Sequence, residues 1–308
     1  MKTGIKIYNT DETIPPLELA RMVEDHGIES IWMPDHSHVP VASRVSAEQE
    51  VAYGGDAAER ARRFARSPVP GGLPREYYRN YDQLITTAMM GAVTSTLLLG
   101  TGICLVVQRD PIILAKEVAT IDRLTGGRFL FGVGAGAAWN AAELENHGVN
   151  LKTRTGLMLE RIDAMKQIWG QERAEYHGKQ VDFEPIFQWP KPVQQPHPPI
   201  LMGGMGPTVL DRTLSHADAW FPGHSDDTFD SLRDRIEELR ERAAALDKAV
   251  EVTLNLGRID FVDRYVDLGL DRVVYTLPPT LSERETREFV STLGRIAQEV
   301  EHTNPAPA

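Results

Sequence analysis

The residues best equipped for chemistry sit at four points where an apolar run gives way to a polar or glycine-rich turn. The first is Trp32-Met33-Pro34-Asp35-His36-Ser37-His38. A carboxylate beside an imidazole can position a proton-transfer group, and histidine titrates near neutral pH. His36 is the candidate proton donor or acceptor, with Asp35 as its orienting partner. The competing reading makes Asp35 a loop cap and leaves the imidazoles to solvent. The second point is Leu99-Gly100-Thr101-Gly102-Ile103-Cys104. Two glycines inside a strand mark a bulge or a close backbone approach, or else a plain barrel corner. The third is Phe131-Gly132-Val133-Gly134-Ala135-Gly136-Ala137-Ala138-Trp139-Asn140. Its alternate glycines strip one face of side chains, so a flat ring can lie against the backbone. The fourth, Leu201-Met202-Gly203-Gly204-Met205-Gly206-Pro207, opens a helix. Free amides at a helix start favour phosphate, although an ordinary glycine-rich turn would read the same way.

The third stretch also fits the loose dinucleotide pattern G-x-G-x-x-A. That pattern belongs to a first βα unit and needs an acidic residue about 20 positions later. Here three βα units come first, and the text near Lys152–Thr155 is basic and helical.

The elements that carry these points alternate apolar runs with helical segments, which argues for parallel βα units. Strands are predicted over Gly4–Tyr8, Ser30–Met33, Leu97–Val107, Arg128–Val133, Ile200–Gly203, Ala217–Phe221, Val252–Leu256 and Arg272–Thr276. Between them, Pro111–Leu124 repeats apolar residues at helical spacing and stops at Gly126-Gly127. The expected fold is α/β: a (β/α)8 TIM barrel forming one domain over residues 1–308. It carries an insertion after strand 2 (37–80, a candidate lid) and a Pro-rich one after strand 4 (176–199). In such a barrel, chemistry gathers at the C-terminal ends of the strands, which is where all four points fall.

Composition narrows the partners. The net charge of −11 disfavours nucleic acid and anionic membranes. No apolar run is long enough to span a bilayer. The lone Cys104 permits no internal disulfide and no Cys-based zinc cluster, so a reducing cytoplasm is expected. Cys104 itself reads as a core residue. Phe187 and Trp189 read as packing within the Pro-rich insertion, and Arg109 as a partner for an acid or as a turn cap. Tyr77, Tyr78 and Tyr81 read as a roof over the site or as loop packing.

Taken together, these motifs resemble the luciferase-like monooxygenase superfamily, and specifically its deazaflavin (coenzyme F420)-dependent branch. The matching text includes Ser30–His36, Leu99–Ile103, Asp110–Asp122, Gly126–Phe129, Gly132–Gly136, Trp189–Gln194 with Pro198–Ile200, and Gly203-Gly204. It runs in order from about residue 4 to 221, and the last third matches loosely. The resemblance implies a cofactor standing at the barrel mouth, a non-prolyl cis peptide at Gly102-Ile103, and a phosphate-binding turn at Gly203–Gly206. The expected cofactor-binding residues are Gly102, Ile103, Gly134, Ala135, Gly136, Asn140, Gly203, Gly204, Met205 and Gly206. His36 and Asp35 are the expected catalytic pair, and no metal is expected. Arg154 and Glu160 match a recurrent pair of the long helix, which an ion pair or packing would equally explain. Some sugar-phosphate dehydrogenases of this branch carry a proton-donating glutamate where this chain has Ala137-Ala138, so that reaction is not expected.

The function implied is hydride transfer between deazaflavin and a small organic substrate by a possible homodimer. The alternative is an FMN-dependent monooxygenase. Two further readings are a non-catalytic deazaflavin binder and a metal-dependent barrel hydrolase built on His36-Ser37-His38. The hydrolase would need further ligands from His216, His224 or Asp271.

Overall fold

The computed structural model describes residues 1–46, 56–224 and 229–303. Its centre is a closed parallel barrel. The strands are β1 (Lys2–Lys6), β2 (Ser30–Met33), β3 (Leu98–Thr101), β4 (Cys104–Leu105), β5 (Phe129–Gly134), β8 (Ile200–Gly203), β9 (Ala219–Phe221), β10 (Glu251–Gly257) and β11 (Arg272–Thr276). They pair in the order β3-β2-β1-β11-β10-β9-β8-β5-β4, and β3 also pairs with β5, which closes the ring. β4 continues β3 beyond an interruption, so nine segments make eight staves. The third strand, predicted as one run over 97–107, therefore breaks in the middle. The break is a cis peptide between Gly102 and Ile103.

Helices cover the outside. Those that matter for the site are α1 (Pro16–Asp25), α2 (Ala57–Ala65), α3 (Gln83–Gly91), α4 (Pro111–Leu124), α5 (Ala141–Asn146), α6 (Arg154–Gly170), α7 (Val209–His216), α8 (Phe229–Ala245), α9 (Val262–Asp267) and α10 (Glu283–Thr303). The bounds of α4 follow from local chemistry. The Asp110 carboxylate accepts from the amides of Ile112 and Ile113, and Pro111 occupies the first turn, where its missing N–H costs nothing. The insertion after strand 2 supplies α2 and a 3-10 turn at Arg75–Tyr78. The part of the proposed lid over 47–55 lies outside the described residues. The insertion after strand 4 contains an antiparallel hairpin, β6 (Arg173–His177) with β7 (Asp182–Phe187), which hydrophobic patterning does not reveal. Phe187 and Trp189 do not pack inside it: they stand 70% and 56% exposed. Among the described residues no helix is long and apolar enough to cross a membrane.

Alternation along the strands divides the core in two. Ile5, Ile7, Ile31, Phe129, Phe131 and their neighbours face the helices. Trp32, Leu130, Leu201, Phe221 and Val274 fill the barrel interior. Trp32 is the plug. Its ring lies against Phe221 at 5.0 Å, and its indole N–H donates to the Ser30 hydroxyl at 2.8 Å. A side chain at Gly100 would collide with that ring, and one at Gly4 would meet both the ring and the Ser30 hydroxyl. The barrel interior is thus plugged below its C-terminal mouth.

Candidate active site

A cavity of about 260 Å³ lies at that mouth. Its walls come from the ends of β1, β2, the β3–β4 break, β5, β8 and β10, and from the insertion. His36, Asp35, Gly102, Ile103, Gly134, Ala135, Gly136, Asn140, Gly203 and Gly204 all line it. Met205 and Gly206 do not line it.

His36 is held from a direction that the spacing of residues conceals. Its Nδ1 lies 3.0 Å from Oε2 of Glu143 on α5, and the two side chains are 6% and 4% exposed. Glu143 also accepts from the Ser37 amide at 2.9 Å and from the Asn140 side-chain amide at 2.9 Å. Burial alone would raise the Glu143 carboxyl, but the hydrogen bond and charge of His36, with the Asn140 bond, bring it down to about 2. An ionised carboxylate there fixes Nδ1 as the donor. Nε2 is then the nitrogen left for the cavity.

A depressed carboxyl stabilises the fold only while it is ionised. Replacing Glu143 by Gln near pH 6 therefore removes on the order of 3 kcal/mol of folding stability. The deficit shrinks as pH falls from 4.5 toward 2. Urea denaturation of both proteins near pH 6 and pH 3 checks this, and an undiminished deficit at pH 3 would refute it.

Asp35 does not orient His36. Its Oδ2 accepts from the Leu105 amide at 2.9 Å, and its Oδ1 accepts from Arg109 at 2.8 Å. The carboxylate is turned toward the strand break and braces it. Gln83, buried at the start of α3, braces the same segment by donating to the Met33 carbonyl at 2.6 Å, and that carbonyl also accepts from the Gly102 amide at 2.7 Å. Arg109 thus meets an acid. Cys104, inside this knot, is fully buried, and burial pushes its thiol well up, as suits an inert core residue.

The glycines of β5 serve the break before they serve any ligand. A Cβ on Gly132 would overlap the Thr101 carbonyl oxygen, and one on Gly134 would overlap the end of the Ile103 side chain. Gly132 is therefore spent on packing and is absent from the cavity wall. What lines the cavity is the rim formed by Ile103, Gly134, Ala135 and Gly136, facing Gly203 and Gly204. Gly136 has φ +78° and Gly204 φ +116°, and a Cβ on Gly204 would project into open space. Beyond them the Met205 and Gly206 carbonyls are held by Arg235 at 2.7 and 3.0 Å, which fixes the turn before α7 and places a guanidinium beside it.

The roof is aromatic. The Tyr77 ring, from the insertion, stands 4.8 Å from His36 and 5.7 Å from Trp139, and Trp139 stands 5.3 Å from His36. The Tyr77 hydroxyl is 2.7 Å from that of Tyr8. Arg63 of α2, 1% exposed, pairs with Glu76 at 2.6 Å and covers the Tyr8 ring. Of the three tyrosines at the end of the insertion, Tyr77 alone lines the cavity.

Other singled-out residues lie elsewhere. Arg154 donates to the Leu151 carbonyl, and Glu160 caps the hairpin turn through the Gln180 and Val181 amides, so the two do not pair with each other. His38 bonds Ser37 and Asn146, His216 bonds Asp163, His224 bonds Tyr265, and Asp271 accepts from the Val252 amide. These groups do not meet at His36. Among the described residues no three His, Cys, Asp or Glu side chains come together as a metal site. Sequence reasoning missed Glu143, Gln83 and Lys6. The one local signal for Glu143 was its position three residues after Asn140 on a short helix.

A parallel eight-stave barrel with a cis break in its third strand and a glycine-rimmed mouth defines a class, and comparison with known proteins agrees. The family profile described as luciferase-like monooxygenase matches residues 15–262. The chain belongs to the luciferase-like monooxygenase family. It is 33% identical over 302 residues to the uncharacterized protein Rv0953c of Mycobacterium tuberculosis, covering 96% of this chain and 98% of that one. It is 32% identical over 149 residues to an FMNH2-dependent dimethylsulfone monooxygenase of Pseudomonas putida, covering 47% of this chain and 40% of that one. A solved F420-dependent secondary alcohol dehydrogenase, in complex with an F420-acetone adduct, shares the fold at a TM-score of 0.72 and 16% identity, covering 97% of this chain and 99% of that one. Relatives and fold neighbours of this chain thus include enzymes that use FMN and enzymes that use coenzyme F420.

Proposed function

We propose that this protein is a deazaflavin (coenzyme F420)-dependent oxidoreductase that transfers a hydride between the cofactor and a small organic substrate. The observation that carries the reading is His36, buried at the cavity mouth with Nδ1 committed to Glu143 and Nε2 available. The cavity also fits a flat ring. Its rim offers backbone at Gly134, Ala135, Gly136, Gly203 and Gly204, and a side chain at Gly204 would occupy the open space. In this reading Gly102, Ile103, Gly134, Ala135, Gly136 and Asn140 hold the ring, and Gly203, Gly204, Met205 and Gly206 hold the phosphate beside Arg235. When bound, deazaflavin supplies the hydride acceptor or donor. The chain supplies the rest. His36 Nε2 takes a proton from a substrate hydroxyl, or returns one to a carbonyl. Asp35 and Gln83 hold the break behind the ring. Tyr77 and Trp139 exclude water.

The alternative cofactor is FMN, and the dimethylsulfone monooxygenase among the relatives favours it. Titration of purified protein with deazaflavin and with FMN, followed by fluorescence, decides between them. Deazaflavin binding is the expected result. Binding of FMN alone moves the protein to oxygen-dependent chemistry, and binding of neither overturns the reading.

A further inference from the structure

One feature of the cavity is not used by a hydride-transfer site built around His36. Lys6 is the last residue of β1 and is 6% exposed. Alternation with Gly4 points it into the barrel, and it lines the cavity. Its ammonium lies 5.9 Å from the centre of the Tyr8 ring, over which Arg63 also sits. Among the described residues no carboxylate pairs with it. Asp35, the one carboxylate on the cavity wall among the described residues, is engaged with Arg109, and the carboxylates just behind the wall pair elsewhere: Glu76 with Arg63 and Glu143 with His36. Burying a charge without a partner is costly, and a lysine on a cavity wall is one that a ligand can relieve.

We propose that Lys6 binds an anionic oxygen of the substrate, so that the cavity selects small organic carboxylates. This rests on the cavity being the substrate site, as argued above, and it adds the substrate's chemical class. The charged and titratable groups that share the cavity wall with Lys6 are Tyr8, two residues beyond β1, and Asp35, His36 and Tyr77, with Arg63 and Glu76 beside the Tyr8 ring. Burial first, and then the charge of Arg63, bring the Lys6 ammonium down to about 7. Somewhat above that pH the empty site holds much of its lysine as the neutral amine, and an arriving carboxylate draws a proton onto it. Below that pH the proton is already present. Carboxylate binding is therefore coupled to proton uptake at pH 8 and uncoupled at pH 6, and affinity falls as pH rises.

Isothermal titration with acetate, pyruvate, succinate and benzoate, in two buffers of different ionisation enthalpy, tests this. At least one carboxylate is expected to bind the wild type, with proton uptake at pH 8 and none at pH 6. Lys6→Met should weaken that binding by about ten- to hundredfold and abolish the uptake. Lys6→Arg should keep binding without uptake, because guanidinium stays charged. Lys6→Met removes an unpaired buried charge, so a thermal melt should show it folded and no less stable. The proposal is overturned if none of the four binds, if Lys6→Met binds equally well, or if proton uptake survives in it. It is also overturned if Lys6→Met loses deazaflavin or FMN while carboxylates are without effect, since the cation would then serve the cofactor. If neither cofactor binds the wild type but a carboxylate does, with Lys6-dependent uptake, the cofactor reading fails and the Lys6 proposal stands.

Discussion

Replacing His36 by alanine lowers kcat by about 10²–10⁴-fold, the range a positioned acid–base group contributes. Deazaflavin affinity stays within a few fold, because the rim that would hold the ring is backbone from β5 and β8. Nδ1 is anchored 3.0 Å from Glu143, the ring packs in a triangle with those of Tyr77 and Trp139, and Nε2 is the remaining polar atom. Alanine removes the proton carrier and leaves the Glu143 carboxylate without its imidazole. Glu143→Gln keeps a hydrogen-bonding group there, so its loss in kcat is smaller and shows as a shift in the pH profile. Steady-state kinetics with any substrate that the wild type turns over, together with cofactor titration of each variant, measures both effects. An alanine variant with unchanged kcat would remove His36 from the mechanism.

The second large effect is on the fold. Gly132→Ala places a methyl group against the Thr101 carbonyl oxygen, which is backbone and cannot rotate away. The Thr101 hydroxyl donates to the Gly132 carbonyl at 2.8 Å, so the two strands are already at their closest. The expected loss is about 3 kcal/mol or more, beyond an ordinary overpacked core position. Gly134→Ala is the control. Its methyl group meets the end of the Ile103 side chain, which can turn, so stability falls less and ring binding falls more. Denaturant unfolding and cofactor titration of both variants separate the outcomes. Equal destabilisation of the two would refute the distinction.

How much of this was legible depends on how far apart the interacting residues lie. The α4 boundaries follow from Asp110, Pro111 and Gly126, all local, and the structure returns Pro111–Leu124 unchanged. The eight staves were readable because each apolar run is punctuated by glycine or proline. The hairpin β6–β7 was not, because its residues are mostly polar and its order comes from pairing and from Glu160 at its turn. His36 was legible as a strand-end imidazole. Its partner was not, since Glu143 stands 107 residues away and only barrel closure brings them together. Adjacency misled at Asp35: neighbouring residues on an extended segment point to opposite sides, and its carboxylate belongs to the break. The alternate glycines suggested a bare face, and part of that bareness is the room that the break itself requires.

The buried Arg63–Glu76 pair bears on how this fold can change over time. Both residues belong to the insertion, yet the guanidinium lies over Tyr8, two residues beyond the first strand. Segments that shape substrate range are often pictured as interchangeable modules on a constant frame. Here a transplanted segment would have to bring its own cover for Tyr8, and one carrying Glu76 without Arg63 would strand a carboxylate in the interior. Diversification of this mouth is therefore constrained to proceed by point changes within the segment, with its two charged anchors kept as a pair.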